Sequence, residues 1–199
     1  MTALPVQTSR KNLAFAPCQR LEFENYLEVH GPGLYKFTRF VYQAFMRPVE
    51  LMRWQIRDIE LVNKRILCHS SITKGGTLEQ YTEYVEITDI LLDVILTMNL
   101  ERYPPTHPIF SHDLLPGRAE VARNRVSERH HDALVNAKLY NGELTLYSWK
   151  HTGVVNAHKV GASMHWLQKH LRHSDLRDTV IYLKSLGLML EEKSIAPTW

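Results

Sequence analysis

The period of the apolar positions changes along the chain, and each change marks a different kind of element. Residues 1–16 are polar and irregular. Residues 17–30, PCQRLEFENYLEVH, have helical character, and GPG at 31–33 punctuates them. Residues 34–46, LYKFTRFVYQAFM, carry many apolar and aromatic side chains and read as a buried helix. Pro48 suits the first position of a further helix, where its missing N–H costs nothing. Val49, Met52 and Ile56 then recur at i, i+3 and i+7 on a core-facing side. From about residue 58 the pattern turns to alternation. DIELVNKRILCHSSI has NK between two short runs rich in Ile, Leu and Val, TKGGT at 73–77 is a turn, and residues 79–87 alternate again. These stretches predict a small antiparallel sheet of about three strands.

Helical periodicity then returns. Thr88 can cap residues 89–100, and YPPTHP at 103–108 breaks that helix. A Pro-rich loop runs through LLPG at 114–117. Residues 118–139 read as one long amphipathic helix stopped by YNG at 140–142. Residues 150–160 form another helix ended by Gly161. Ser163 caps the next, with Met164, Leu167 and Leu171 on one face, and Asp175 caps the last, which runs to about Leu186. The expected fold class is α+β: mostly helical, with one small three-stranded antiparallel sheet.

A chain of 199 residues can bury a real core in one ordinary domain. No apolar run approaches the ~20 residues of a membrane span, and the first twenty residues contain no apolar segment of the signal-peptide kind. Cys18 and Cys68 lie far apart with no Cys-x-x-Cys pair, so neither a disulfide framework nor a zinc ribbon is indicated, and a reducing cytoplasm is expected. The net charge of +3 says little, but its distribution says more. Residues 1–117 hold 12 Lys+Arg against 13 Asp+Glu, whereas residues 118–180 hold 10 against 6 and seven of the eleven histidines. A basic C-terminal half fits a polyanion partner, and equally a solvated helical surface. His151, His158 and His165 recur every seven residues, but Gly161 separates the third and no paired carboxylate or cysteine supports them, so no metal site is expected. Trp149 and Trp166 read as packing residues. His130 and His131 read as exposed or facing a nucleic acid.

The stretches YSWKHTG at 147–153 and LRHSDLRDTVIY at 171–182 carry the chemistry. His173 and Tyr182 are nine residues apart. On one continuous helix they would point to opposite sides, but the intervening Ser174 and Asp175 break the helix, and a tight helix–turn–helix can bring both to one cleft. Arg47 ahead of a helix, Lys74 at a hairpin tip, and Tyr147 and Lys150 at a helix start complete a set of cations around a tyrosine with no carboxylate cluster. That combination points to phosphoryl transfer with a tyrosine nucleophile, the side-chain cations neutralising the phosphate. Lys64 is a rival to Lys74.

These residues resemble the three boxes of the tyrosine recombinases, the phage-type integrases. In the first, RPVELMRWQIRDI, Arg47, Glu50, Leu51, Asp58 and Ile59 match. LYSWKHTG resembles the second, usually His-x-x-Arg-His-Thr, and LRHSDLRDTVIY resembles the third. The boxes stand in order, the resemblance covers residues 20–186, and the family's hairpin lysine falls on Lys74. The YSWKHTG wording resembles a branch from mobile elements of Bacteroidetes-like bacteria.

The resemblance implies a catalytic domain at 20–186, after an irregular segment at 1–19 and before a tail at 187–199, with no counterpart of the family's N-terminal core-binding domain. It implies a bacterial, DNA-associated enzyme that acts as a tetramer on double-stranded DNA without metal, nucleotide or other cofactor. Tyr182 would attack a scissile phosphate and form a 3′-phosphotyrosine link. Arg47 and Lys150 would hold the non-bridging oxygens, Lys74 would protonate the departing 5′-oxygen, and Tyr147 would donate a hydrogen bond. His173 would orient a phosphate oxygen or help to deprotonate the tyrosine. Two departures stand out: Tyr147 replaces the usual histidine of the second box, and Lys150 its arginine. Lysine is a point charge where arginine is a rigid fork. The alternatives are a recombinase-like DNA-binding module without cleavage, and a type IB topoisomerase-like relaxing enzyme.

Overall fold

A computed structural model describes residues 12–69 and 81–188. The expected fold class is what it shows: eight α-helices and a single three-stranded antiparallel sheet among the described residues. Helices α1 (Pro17–His30) and α2 (Pro32–Gln43) are joined by Gly31 alone, and each begins on a proline at its first position. Helix α2 lies at the centre and touches α1, α4 (Asp89–Leu96), α5 (Arg123–Asn136) and α6 (Ser148–Lys159). Its Phe37, Phe40 and Val41 are fully buried in a core that also takes Phe23, Leu27, Trp54, Ile66, Leu91, Phe110, Leu134 and Trp149.

Strands β1 (Ile59–Glu60), β2 (Arg65–His69) and β3 (Tyr81–Glu86) form the sheet in sequence order. Ile59 pairs with Ile66, Arg65 with Glu86 and His69 with Tyr81, with an irregularity between Cys68 and His69. The turn expected at 73–77 lies outside the described residues. Cys18 is exposed and Cys68 buried, both as free thiols. No helix among the described residues is long and apolar enough to cross a membrane.

Three expectations need correction. The helix opened by Pro48, α3 (Pro48–Leu51), lasts four residues and does not carry Ile56. The chain instead pairs with the Pro-rich loop, Ile56 N–H donating to His107 and Arg57 N–H to Pro105, so tertiary pairing overrides the helical period. Helix α5 starts at Arg123, not 118, because Glu120 bridges to Ser111 and Val121 is buried before the helix begins. His130 is neither exposed nor facing outward. It is buried, and its Nε2 accepts a 2.9 Å hydrogen bond from Trp149 Nε1. Trp149 is itself a core side chain, as expected of a packing residue.

The final helices form a second, smaller cluster. Helix α7 (Met164–Leu171) begins where Ser163 Oγ accepts from Trp166 N–H, and α8 (Leu176–Ser185) where Asp175 Oδ1 accepts from Arg177 N–H. Leu167, Leu171 and Leu183 pack there with Phe45 and Val154.

Candidate active site

The site begins with local chemistry at the start of α3. Arg47 is extended, and Glu50 folds back so that one carboxylate oxygen accepts from the Arg47 N–H and the other from Nη1 at 2.6 Å. Burial works against the charge on Arg47, but Glu50, with Tyr147 beside it, outweighs that and raises its affinity for the proton. The side chain stays 42% exposed and available to a ligand.

The same carboxylate takes a second guanidinium. Arg172 Nη2 donates to Glu50 Oε2 at 2.6 Å, with its side chain only 2% exposed. Its Cζ lies 5.9 Å from the centre of the Trp54 ring, and its Nε and Nη1 are buried without a hydrogen-bond partner among the described residues. Arg172 ends α7 at φ +58°, a left-handed conformation that costs a non-glycine residue about 1–2 kcal/mol. Burial opposes the Glu50 carboxylate, but Arg172, Arg47 and Lys150 outweigh it and hold its pKa below the ordinary value. Sequence reasoning missed Arg172. Its signal was a charged residue between the apolar Leu171 and His173 of the third box.

The second box is seated by its structural members. Thr152 Oγ1 donates to the Ser148 carbonyl at 2.7 Å and accepts from Phe15 N–H at 2.9 Å. A Cβ on Gly153 would stand 2.0 Å from the Tyr42 carbonyl oxygen, so only glycine lets α6 approach α2 this closely. Asn156 Nδ2 donates to Tyr42 Oη at 2.6 Å one turn on. This seating buries Lys150 to 1% exposure. Burial, then the charges of Arg172 and Arg47, push the Lys150 ammonium well below the ordinary lysine range, against the pull of Glu50.

Tyr147, His151, His173 and Tyr182 close the set. Tyr182 Oη and His151 Nδ1 are 2.8 Å apart. The His151 ring lies 4.9 Å from Tyr147 and 5.5 Å from Tyr182 between centroids, and His173 lies 5.9 Å from Tyr182. His173 Nδ1 is 3.0 Å from Thr179 Oγ1. Burial raises the Tyr182 pKa, Tyr147 adds to this, and Arg47 opposes it. Burial, then Lys150, pushes His151 down to about 4. Burial, then Lys150 and Arg47, lowers His173 as well. The helix break between His173 and Tyr182 thus brings both rings to one place, and the structure sets Arg47, Tyr147, Lys150 and His151 around them. His151 was the second residue that sequence reasoning passed over, although it stands inside the quoted box. Lys74 lies outside the described residues. Its rival Lys64 is paired with Asp89 at 2.8 Å at the start of α4.

Two clefts flank the set. One of about 510 Å³ is lined by Arg47 and Tyr147 together with Arg123, Ser127 and His131. The other, about 390 Å³, is lined by Arg172 and His173 with Glu83, Tyr84 and Lys169.

No protein-family model matches the sequence, and no curated protein matches it. Solved structures do. The integrase of transposon Tn1549 in complex with transposon right-end DNA superposes with a TM-score of 0.68 at 13% identity, over 90% of this chain and 63% of that one. XerA recombinase gives 0.66 at 15%, over 87% and 60%. The integrase of mycobacterium phage Brujita gives 0.59 at 13%, over 94% and 58%. The chain therefore spans about 63% of the length of the Tn1549 integrase chain it matches. At these identities the likeness is one of fold: the described residues have the fold of a tyrosine-recombinase catalytic domain.

Proposed function

We propose that this chain is the catalytic domain of a tyrosine-type site-specific recombinase, which cuts and rejoins double-stranded DNA through a 3′-phosphotyrosine intermediate. The observation that carries this reading is a half-buried tyrosine hydroxyl beside a cradle of Arg47, Lys150 and Arg172 gathered around one carboxylate. Tyr182 and the phosphate-binding groups come from separate elements of a fold shared with a DNA-bound integrase. XerH recombinase bound to a palindromic difH substrate, in a post-cleavage complex, shares that fold at a TM-score of 0.63, 15% identity, over 92% of this chain and 52% of its own.

In this reading Tyr182 Oη attacks the phosphorus, the bond to the 5′-oxygen breaks, and Lys74 supplies the proton that makes the 5′-hydroxyl. Arg47, the exposed guanidinium, grips the non-bridging oxygens. Lys150 donates a hydrogen bond to the phosphate as charge develops there, in a buried setting where such a contact counts for more than in water. His173, its Nδ1 held 3.0 Å from Thr179 Oγ1, presents Nε2 to orient a phosphate oxygen. Tyr147 adds a hydrogen bond. Attack by a partner strand's 5′-hydroxyl reverses the step, so the covalent link conserves the bond energy. Four protomers on two duplexes bring the partner strands together. The Bacteroidetes-like branch rests on the YSWKHTG wording alone.

The test is a covalent-adduct assay. The protein is incubated in EDTA with random-sequence duplexes nicked to trap cleavage, denatured in SDS, and examined for protein-linked DNA. The expected result is an adduct that Tyr182→Phe abolishes. A second reading, a DNA-binding module without cleavage, draws on the burial of Lys150 where a reaching arginine is usual. It would be favoured by DNA binding without adduct, unchanged in Tyr182→Phe.

A further inference from the structure

Cleavage requires the tyrosine to lose its proton, and the burial that raises its pKa makes this harder at neutral pH. We propose that His151 is the proton acceptor for Tyr182, a deepening of the recombinase reading above that stands only if that reading does. The argument is first geometric. His151 Nδ1 lies 2.8 Å from Tyr182 Oη, within hydrogen-bonding reach for direct transfer. His173, the other histidine nearby, has its Nδ1 on Thr179 Oγ1 instead, and its ring meets the Tyr182 ring at 87°. His151 is also held in place from both sides, its ring packed between those of Tyr147 and Tyr182 on an α6 start that Thr152 and Gly153 fix against the core.

The charges around the pair fit this role. Lys150 neighbours His151 on its own helix, Tyr147 caps the start of that helix, Arg47 stands at the start of α3, and Tyr182 and His173 come from α8 and the turn before it. Burial, and after it Lys150, keeps the imidazole neutral before the substrate arrives, so Nδ1 can accept the hydroxyl proton. A DNA phosphate would bring negative charge among the same cations and strengthen the base when it is needed. In the forward step the O–H bond of Tyr182 breaks, N–H forms on His151 Nδ1, Oη–P forms, and P–O5′ breaks with a proton from the general acid. In the reverse step His151 returns its proton to the leaving phenolate, so it serves as base in cleavage and acid in rejoining. His151 is thus a catalytic residue distinct from the His173 of the third box.

The experiment uses the full chain and the random-sequence nicked duplexes above, made both with normal phosphate and with a 5′-bridging sulfur. A sulfur leaving group departs without a proton, so a defect in the general acid is relieved by it and a defect in the base is not. His151→Asn is expected to lower the rate of adduct formation by about 10²–10⁴ at pH 7 on both substrates, with DNA binding unchanged. Wild type on the sulfur substrate is expected to show an acid limb below neutral pH, from protonation of the base, that His151→Asn lacks. That limb needs no variant, so it remains decisive if His151→Asn fails to fold. An adduct from wild type with no acid limb, or with the variant within about threefold of wild type, would overturn the role of His151 alone. Absence of adduct from wild type would overturn the recombinase reading, and this inference with it.

Discussion

The two halves of the site rest on unequal foundations. Arg47, Tyr147 and Lys150 stand on elements packed into the main core, where α6 meets α2 across Gly153 and Trp149 is buried against His130. Tyr182 stands on α8, whose buried residues are Thr179 and Leu183 and which rests on the small cluster around Leu167 and Leu171. Two polar contacts cross from one half to the other at the site itself, Tyr182 to His151 and Arg172 to Glu50. Under the proposed function, a phosphate cradle gains from rigidity, because preorganised charges need not move as the reaction proceeds. A nucleophile that must attack and later leave is better placed on an element that opens at modest cost.

The sharpest way to break the comparison is to cut the link at Glu50. Glu50→Gln removes the negative charge shared by Arg47 and Arg172, and leaves the buried Arg172 guanidinium facing Lys150 without compensation. Removing one partner of a buried pair typically costs about 3–5 kcal/mol. Urea unfolding should show that loss. A change under about 1 kcal/mol would mean that the two halves are not electrostatically joined.

Acid should come next in size and should act on both halves. His130 is pushed down to about 3 by burial and then His131, and His170, whose Nε2 donates to the Gln43 carbonyl, to about 4, chiefly by burial. Their folded pKa values lie below the unfolded value of about 6.5. As pH falls below 6.5 the unfolded chain therefore takes protons that the folded chain refuses, and stability drops toward the folded values. Each site loses about 1.4 kcal/mol per pH unit, hence up to about 2 kcal/mol by pH 5. Glu50 has its pKa lowered in the fold, so its contribution is lost only below the ordinary carboxylate range and does not blur this window. Urea midpoints at pH 7, 6 and 5 test this. A flat series would show that these two imidazoles, and His151, which burial also holds near 4, gain protons without unfolding.

The same contrast explains what could be read in advance. The helices beginning at Thr88, Ser163 and Asp175 and the strand alternation were legible, because capping oxygens and side-chain period are local properties. The early end of α3 and the late start of α5 were not, because both are decided by pairing with the distant loop at 105–111. Tyr147, Lys150, His173 and Tyr182 could be named from spacing, yet spacing does not say which histidine faces the hydroxyl. That depends on the angle between α6 and α8, which tertiary packing sets. Arg172 stayed hidden for a related reason: its partner, Glu50, lies 122 positions away, and its left-handed backbone is unusual for arginine.

The smallest effect is the most selective. Leu183 is fully buried in the small cluster, one residue after Tyr182, and its loss should loosen α8 while leaving the main core intact. Leu183→Ala should cost about 2–3 kcal/mol, toward the lower end for such truncations because a small cluster near the surface can partly collapse. Amide hydrogen exchange separates the regions. Exchange in α8 should accelerate by up to about a hundredfold, the equivalent of about 2.7 kcal/mol, while the slowest amides of α2 and α6 change much less. Adduct formation should fall with it, since each opening of α8 carries the Tyr182 hydroxyl away from His151, but DNA binding through the Arg47 side should persist. Equal acceleration in α2, α6 and α8 would show that Tyr182 and the Arg47–Lys150 side of the site unfold as one unit. The small cluster would then be an extension of the main core, and opening of α8 would have to be sought in the DNA-bound protein instead.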